Sequence, residues 1–331
     1  MPPRPVIAGL HHVTAITGSA PGNVDFYTRV LGLRLVKKTV NQDDVSAYHL
    51  FYGDARGSPG MDLTFFDWPR SGLNVPGGGS VARIALAVPD VGALDWWRDR
   101  FERLGVAHGP ITDRRGRAAL AFADPEGQRL ELVDASGVSG PHVEPWVGSP
   151  VPEAVGIRSF YGVTLDAVAP APTMALLTEL LGFRRLDAYR DADGRALTVL
   201  EAGSGGAGTE LTIVSPWVRR GMPGIGGVHH VAWRTADDAT QREWLRVLGE
   251  AGVPNSGIVD RYYFRSLYFR EPGGVLFEIA TDGPGFVTDE AAEHLGEALA
   301  LPPFLEPRRA EIEVGLLPLP VAAAGAAGRD R

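Results

Sequence analysis

Along residues 81–133 the apolar positions change their spacing twice. Val81 to Val88 is a short, almost continuous apolar run. Gly92 to Leu104 is a helical stretch with Trp96, Trp97 and Phe101 among its apolar positions. Ala118 to Val133 reads as two runs around the turn residues Pro125-Glu126-Gly127. Short apolar runs bounded by turn residues fit strands, and apolar positions three and four apart fit one face of a helix, so the segment predicts strand, helix, then a hairpin. The same order, an opening strand, a helix and two or three short strands, is expected in four modules along the chain.

Internal repetition supports that count. Val30-Leu31-Gly32-Leu33-Arg34 returns 150 positions later as Leu180-Leu181-Gly182-Phe183-Arg184, each closing an amphipathic stretch with the glycine expected just past a helix end. Asp62 to Trp68 is echoed by Glu210 to Trp217. Asp124-Pro125-Glu126-Gly127, leading to Leu130-Glu131-Leu132, matches Glu271-Pro272-Gly273-Gly274, leading to Phe277-Glu278-Ile279, at an offset of 147. The order is ABAB. Gly/Pro-rich joints fall at 69–80, 137–152 and 219–227. By sequence order this divides the chain into an N-terminal half, 1–145, with modules one and two, and a C-terminal half, 146–319, with modules three and four. The end, 320–331, is Ala/Gly-rich and reads as a disordered tail.

Composition narrows the chemistry. The 331 residues contain no cysteine, which excludes disulfides, thiolate metal ligands and cysteine nucleophiles. A net charge of −8 with no basic cluster beyond pairs such as Lys37-Lys38 argues against a nucleic-acid partner. No apolar run suits a signal peptide or a membrane span, so a cytoplasmic protein with a small-molecule ligand is expected.

Four of the eight histidines lie in two pairs, His11-His12 and His229-His230, each in the opening strand of its module. At the repeat offsets Ala82-Arg83 stand in place of the second pair and Tyr161-Gly162 in place of the first. Two of the four modules therefore lack a ligand histidine. Glu278 closes module four. Two imidazoles and one carboxylate form an open-sided transition-metal site. Successive strand residues face opposite ways, so one histidine of each pair is the expected ligand and its neighbour a supporting or substrate-contacting group, unless a bulge turns both the same way. Glu131 matches Glu278, but Arg83 stands where a histidine would be needed, and a salt bridge is expected there. His49, His108, His142 and His294 have no repeated context and are assigned surface or structural roles.

Taken together, these modules, Leu10-His11-His12-Val13-Thr14, and the closing run Pro272 to Ala280 resemble the vicinal oxygen chelate superfamily (glyoxalase/bleomycin resistance/dioxygenase fold). The stretches Gly32 to Asn41, Tyr48 to Asp54, Gly57 to Gly60, Asp260 to Phe269 and Leu301 to Arg309 narrow the likeness to ring-cleaving dioxygenases acting on hydroquinones, over about residues 7–319. The resemblance implies an α+β fold of four βαβββ modules forming two paired-module cups, with modules one and four forming the working cup. It implies iron(II), or manganese(II), held by His12, His230 and Glu278, and places His11, Thr14, His229, Arg261 and Tyr268 around the substrate. Within it His11 or His229 is expected as acid/base, Arg261 as a cationic hydrogen-bond donor and Tyr268 as a donor to oxygen. The implied activity is extradiol-type ring cleavage of a hydroquinone or catechol, with a small aromatic compound and O2 as partners and homo-oligomerisation left open. The alternatives are a glyoxalase-type isomerase or lyase, which generally needs a second carboxylate ligand, and a metal-free binding protein.

Overall fold

The computed structural model describes residues 4–191 and 193–319; the tail expected at 320–331 lies outside the described residues. Module one runs β1 (Leu10–Thr17), α1 (Ala20–Val24, widening into a π-type turn over Asp25–Val30), β2 (Arg34–Val40), β3 (Tyr48–Gly53) and β4 (Asp62–Asp67). Module two follows as β5 (Ser80–Val88), α2 (Val91–Leu104), β6 (His108–Asp113), β7 (Ala118–Ala123) and β8 (Arg129–Asp134). Module three comprises β9 (Ser159–Asp166), α3 (Pro170–Ala175, again with a π-type end over Leu176–Leu180), β10 (Arg184–Arg190), β11 (Ala196–Glu201) and β12 (Glu210–Ser215). Module four comprises β13 (Gly227–Thr235), α4 (Asp238–Glu250), β14 (Asn255–Asp260), β15 (Phe264–Arg270) and β16 (Leu276–Pro284).

Local chemistry explains the element ends. Asp90 and Asp237 stand before α2 and α4 and accept the backbone N–H of Ala93 and Thr240, at 2.9 and 2.8 Å, so each caps an otherwise unpaired helix start. Gly32 and Gly182 take φ of +73° and +76° just past the helical stretches, the left-handed exit that disfavours a side chain. On α2 the buried stripe is Ala93, Leu94, Trp97 and Phe101, while Trp96 is half-buried beneath the Arg100 guanidinium.

Among the described residues sixteen strands form two eight-stranded sheets, ordered β14-β15-β16-β13-β1-β4-β3-β2 and β10-β11-β12-β9-β5-β8-β7-β6. This is the expected α+β architecture of four modules in two cups. Each sequence half contributes one module to each sheet, since β1 pairs antiparallel with β13 and β5 with β9. The first and third joints are tied by bridges Leu73 to Ile225 and Val75 to Met222. One large core, including Trp97, Phe101, Trp233, Trp244 and Phe277, spans the modules of both sheets. In the first sheet the outermost strands curl toward each other: Gln42, past β2, donates to the Arg261 carbonyl, past β14, at 2.8 Å. The segment after β16 closes one end, where fully buried Lys37 pairs with Asp289 at 2.6 Å and with Glu290.

Candidate metal centre

The pairing of β1 with β13 carries two irregularities, one between Leu10 and His12 on β1, the other opposite Thr14 and Ala15, where β13 steps from His230 to Val228. Each leaves one extra residue, His11 on β1 and His229 on β13. The second sheet repeats both irregularities, at Ala82 and Tyr161. The bulge therefore belongs to the fold, and only the first sheet fills it with histidine. Because a bulge breaks the strict alternation of faces, both rings of each pair lie side by side. His11 Nδ1 is 2.9 Å from His12 Nδ1, and His229 Nδ1 is 2.8 Å from His230 Nδ1.

At the centre of the first sheet, His12 Nε2, His230 Nε2 and Glu278 Oε2 form a nearly equilateral triangle. The two nitrogens are 3.2 Å apart, and the carboxylate oxygen lies 3.3 Å from His12 and 3.1 Å from His230. Metal–ligand bonds of about 2.1 Å at right angles hold donor atoms about 3.0 Å apart, so the triangle fits one face around a cation. The buried Glu278 Oε2 has no hydrogen bond among the described residues, which leaves an acceptor that a cation would satisfy. Glu278 Oε1 accepts from the buried Ser266 hydroxyl at 2.6 Å. Burial alone would push this carboxyl up, but the facing imidazoles, His12 first and then His230, outweigh it and hold it well below its ordinary range. The same three residues form a cluster of possible ligands.

The neighbours set the ring tautomers. His11 Nε2 donates to the Thr281 carbonyl at 3.1 Å, so its Nδ1 is free to accept from His12 Nδ1–H, which leaves His12 Nε2 as a lone pair at the triangle. Burial first, then the adjacent His12, pushes His11 down to about 3; burial and His230 do the same to His229. Both rings are neutral at pH 7.

The expected site residues divide on position. Thr14 lies at the triangle, its hydroxyl 3.0 Å from His230 Nε2. Arg261 and Tyr268 line the cavity in front of it, with Phe51, Phe66, Phe264 and His49. Arg261 grips Asp43 with both terminal nitrogens, at 3.1 and 2.8 Å, and its Nε donates to Tyr268 Oη at 3.3 Å. Burial and the Glu278 charge push Tyr268 up, so it stays protonated, and with Arg261 donating to its oxygen its own O–H is free to donate. His11 and His229 do not line this cavity. Nδ1 of each faces the neighbouring ligand, and the remaining His11 nitrogen is held by a carbonyl, an arrangement that suits orienting the ligand rings. Each terminal nitrogen of Arg261 gives one hydrogen to Asp43 and keeps a second.

His49, assigned a surface or structural role from sequence, is instead a cavity residue. Its position beside Phe51 on one strand face is visible as i, i+2 spacing, but the spacing does not say which face the cup encloses. Asp43, Thr64 and Ser266 carried no sequence signal. In the second sheet Glu131 is bound by Arg83 at 2.9 Å, as expected, and by Arg114 at 3.0 Å. A guanidinium thus accompanies the carboxylate that matches Glu278.

The fold and the triangle define a class of paired βαβββ cups with a two-histidine, one-glutamate centre. Residues 9–132 and 169–279 match the model of the Glyoxalase/Bleomycin resistance protein/Dioxygenase superfamily, and the chain belongs to that family. It is 46% identical over 317 residues to the Bacillus subtilis (strain 168) protein named "Putative ring-cleaving dioxygenase MhqA", covering 95% of this chain and 99% of the relative. It is 34% identical over 309 residues to the chlorohydroquinone/hydroquinone 1,2-dioxygenase of Sphingobium indicum, covering 91% and 93% of the two chains. A crystal structure of a Bacillus subtilis protein described as a "putative dioxygenase" superposes with a TM-score of 0.87 at 39% identity, covering 97% of this chain and 99% of that one. No helix among the described residues is long and apolar enough to cross a membrane.

Proposed function

We propose that the protein is an iron(II)-dependent ring-cleaving dioxygenase for hydroquinone-type aromatic compounds. The observation that carries the reading is the triangle of His12, His230 and Glu278, whose two histidines line a cavity walled by Phe51, Phe66 and Phe264. His12, His230 and Glu278 would hold the ion, and a redox-active ion bound there would supply the electron transfer that lets O2 react with the ring.

The chain's own groups do the rest. Phe51, Phe66 and Phe264 enclose a flat apolar ring and exclude water. A para-hydroquinone offers the ion one hydroxyl rather than two adjacent ones, so orientation depends on the walls and on donors beside the triangle. Tyr268 in the cavity wall supplies such a donor, and the Arg261–Asp43 pair holds Tyr268 while joining the two sheet edges. His11 and His229 keep the ligand rings in one tautomer. The 1,2-dioxygenase relative supports cleavage between a hydroxyl-bearing carbon and its neighbour rather than outside a catechol pair. A glyoxalase-type set would need a second carboxylate, and the ligand cluster found among the described residues holds one.

Anaerobic reconstitution with iron(II), followed by oxygen uptake and product analysis against hydroquinones and catechols, tests the reading. Stoichiometric uptake with hydroquinones is the expected result. Uptake with catechols alone would make it a catechol enzyme, and none with either class would overturn ring cleavage.

A further inference from the structure

A para-hydroquinone carries its second hydroxyl at the opposite end of the ring from the one at the triangle, and that hydroxyl gives up water on entering an apolar cavity. The wall must offer it a partner. Much of the polar lining is already engaged: Gln42 donates to the Arg261 carbonyl and Tyr263 to Asp289, each at 2.8 Å, while Asp43 accepts from Arg261. Thr39 and His49 differ. Both line the cavity, and neither Thr39 Oγ1 nor His49 Nδ1 has a hydrogen-bond partner among the described residues. Thr39 is 2% exposed, so its hydroxyl lacks water as well as a protein partner, a state that points to a missing ligand.

Strand register puts the two together. Thr39 on β2 stands directly opposite His49 on β3, and residues so paired project from the same face of the sheet. The His49 ring lies 3.9 and 4.4 Å, between centroids, from those of Phe51 and Phe66, and its Nε2 is 3.0 Å from Thr64 Oγ1. Nδ1 is left as the open edge of a ring held on its other sides. Links of 3.0, 2.7 and 3.0 Å run from His49 Nε2 by way of the Thr64 and Thr14 hydroxyls to His230 Nε2, which bounds the gap between this imidazole and the triangle. A six-membered ring with oxygens at both ends can span such a gap. A catechol, whose oxygens are neighbours, cannot.

The second sheet is an internal control. There Tyr189 stands opposite Leu197. Irregularities between Leu35 and Lys37 in the first sheet and between Arg185 and Asp187 in the second align the two strand pairs, so Tyr189 and Leu197 occupy the places of Thr39 and His49. The imidazole is confined to the cup that has the triangle, and the other cup has an apolar side chain in its place.

We infer that Thr39 and His49 form the subsite for the far hydroxyl of a hydroquinone and thereby select hydroquinones over catechols. The inference rests on the proposed function, of which it specifies the substrate contacts. A hydroxyl both donates and accepts, so it pairs with His49 Nδ1 in either tautomer and with the Thr39 hydroxyl through its remaining hydrogen or lone pair. Burial, and then His12 and His230, holds His49 well below its ordinary value, and a neutral ring suits an uncharged hydroxyl better than a carboxylate.

The test is calorimetric titration of anaerobic, iron-loaded protein, which reads binding without turnover, using hydroquinone, phenol, which lacks the far hydroxyl, and catechol, which carries its second hydroxyl beside the first. Wild-type protein binds hydroquinone about 10-fold more tightly than phenol. His49→Leu, which copies the second sheet, and Thr39→Val, which keeps the side-chain shape, each weaken hydroquinone about 5- to 10-fold at equal iron content and equal Tm, while phenol and catechol stay within about twofold. Thr39→Ser restores hydroquinone binding. If His49→Leu fails to fold, Thr39→Val carries the same expectation. Equal wild-type affinity for hydroquinone and phenol, unchanged hydroquinone affinity in either folded variant, or an equal loss for phenol would overturn the subsite. Selective binding of this kind without oxygen uptake on any hydroquinone would remove the ring-cleaving reading alone. Uptake on hydroquinones with binding indifferent to the far hydroxyl would remove the subsite alone.

Discussion

Ser266→Ala isolates the support of the metal centre from its ligands. Ser266 and Glu278 are both fully buried, and the serine hydroxyl donates to Glu278 Oε1 at 2.6 Å, on the side of the carboxylate away from His12 and His230. Removing the hydroxyl leaves a buried anionic oxygen without its donor, a cost of about 1–3 kcal/mol. With an unfolding entropy of about 2.1 cal/mol/K per residue, that corresponds to a metal-free Tm lower by about 1–4 °C. The carboxylate also loses the contact that fixes its rotation, and loss of such a supporting contact lowers metal affinity about 10- to 100-fold. The second sheet shows the logic in reverse: register places Ala119 where Ser266 stands, and there Glu131 is held by Arg83 and Arg114 instead. Calorimetry of metal-free and iron-loaded protein, with competition against a chromogenic chelator, reads both effects. Iron affinity within about twofold of wild type would refute the claim that Ser266 orients Glu278.

His12→Ala, His230→Ala and Glu278→Ala should each abolish iron retention by metal analysis, whereas Glu131→Ala should leave it nearly unchanged because Glu131 is tied to arginines in the other sheet. Tyr268→Phe should keep the iron and lower kcat by about 10- to 100-fold, since only a hydroxyl facing the cavity is lost; oxygen uptake at equal iron content checks this. Burial raises Asp124 from 3.8 to about 6, so the folded protein binds a proton there that the unfolded chain does not. The stability it contributes is present below about pH 4 and is lost as pH rises to about 6, roughly 3 kcal/mol in all. Asp124→Asn keeps an oxygen for the backbone N–H groups of Glu126 and Gln128, and should flatten that part of the pH profile in denaturant melts; an unchanged slope would contradict the assignment.

The sequence by itself determined whatever is written in local order. Turn residues, apolar spacing and the offsets of 147 and 150 locate four like modules, because each module folds on contacts within a few tens of residues. The same offsets single out His11-His12, His229-His230 and Glu278 as the unrepeated chemistry and assign Glu131 to Arg83. Which modules share a sheet was not legible from spacing; it came from a family resemblance, and the structure joins β1 to β13 across more than 200 residues. Only the tertiary structure decided the rest. Whether His11 faces the substrate or supports His12 depends on a bulge that exists only once two distant strands pair, and whether His49 is outside or in the cavity depends on which way an eight-stranded sheet curls. Asp43 became part of the site because the curl brings the ends of β2 and β14 together, and Ser266 because β15 lies against β16 in one register. A one-dimensional pattern records which residues lie on a common face of a strand, but the face that encloses the cavity is chosen by the packing of the whole sheet.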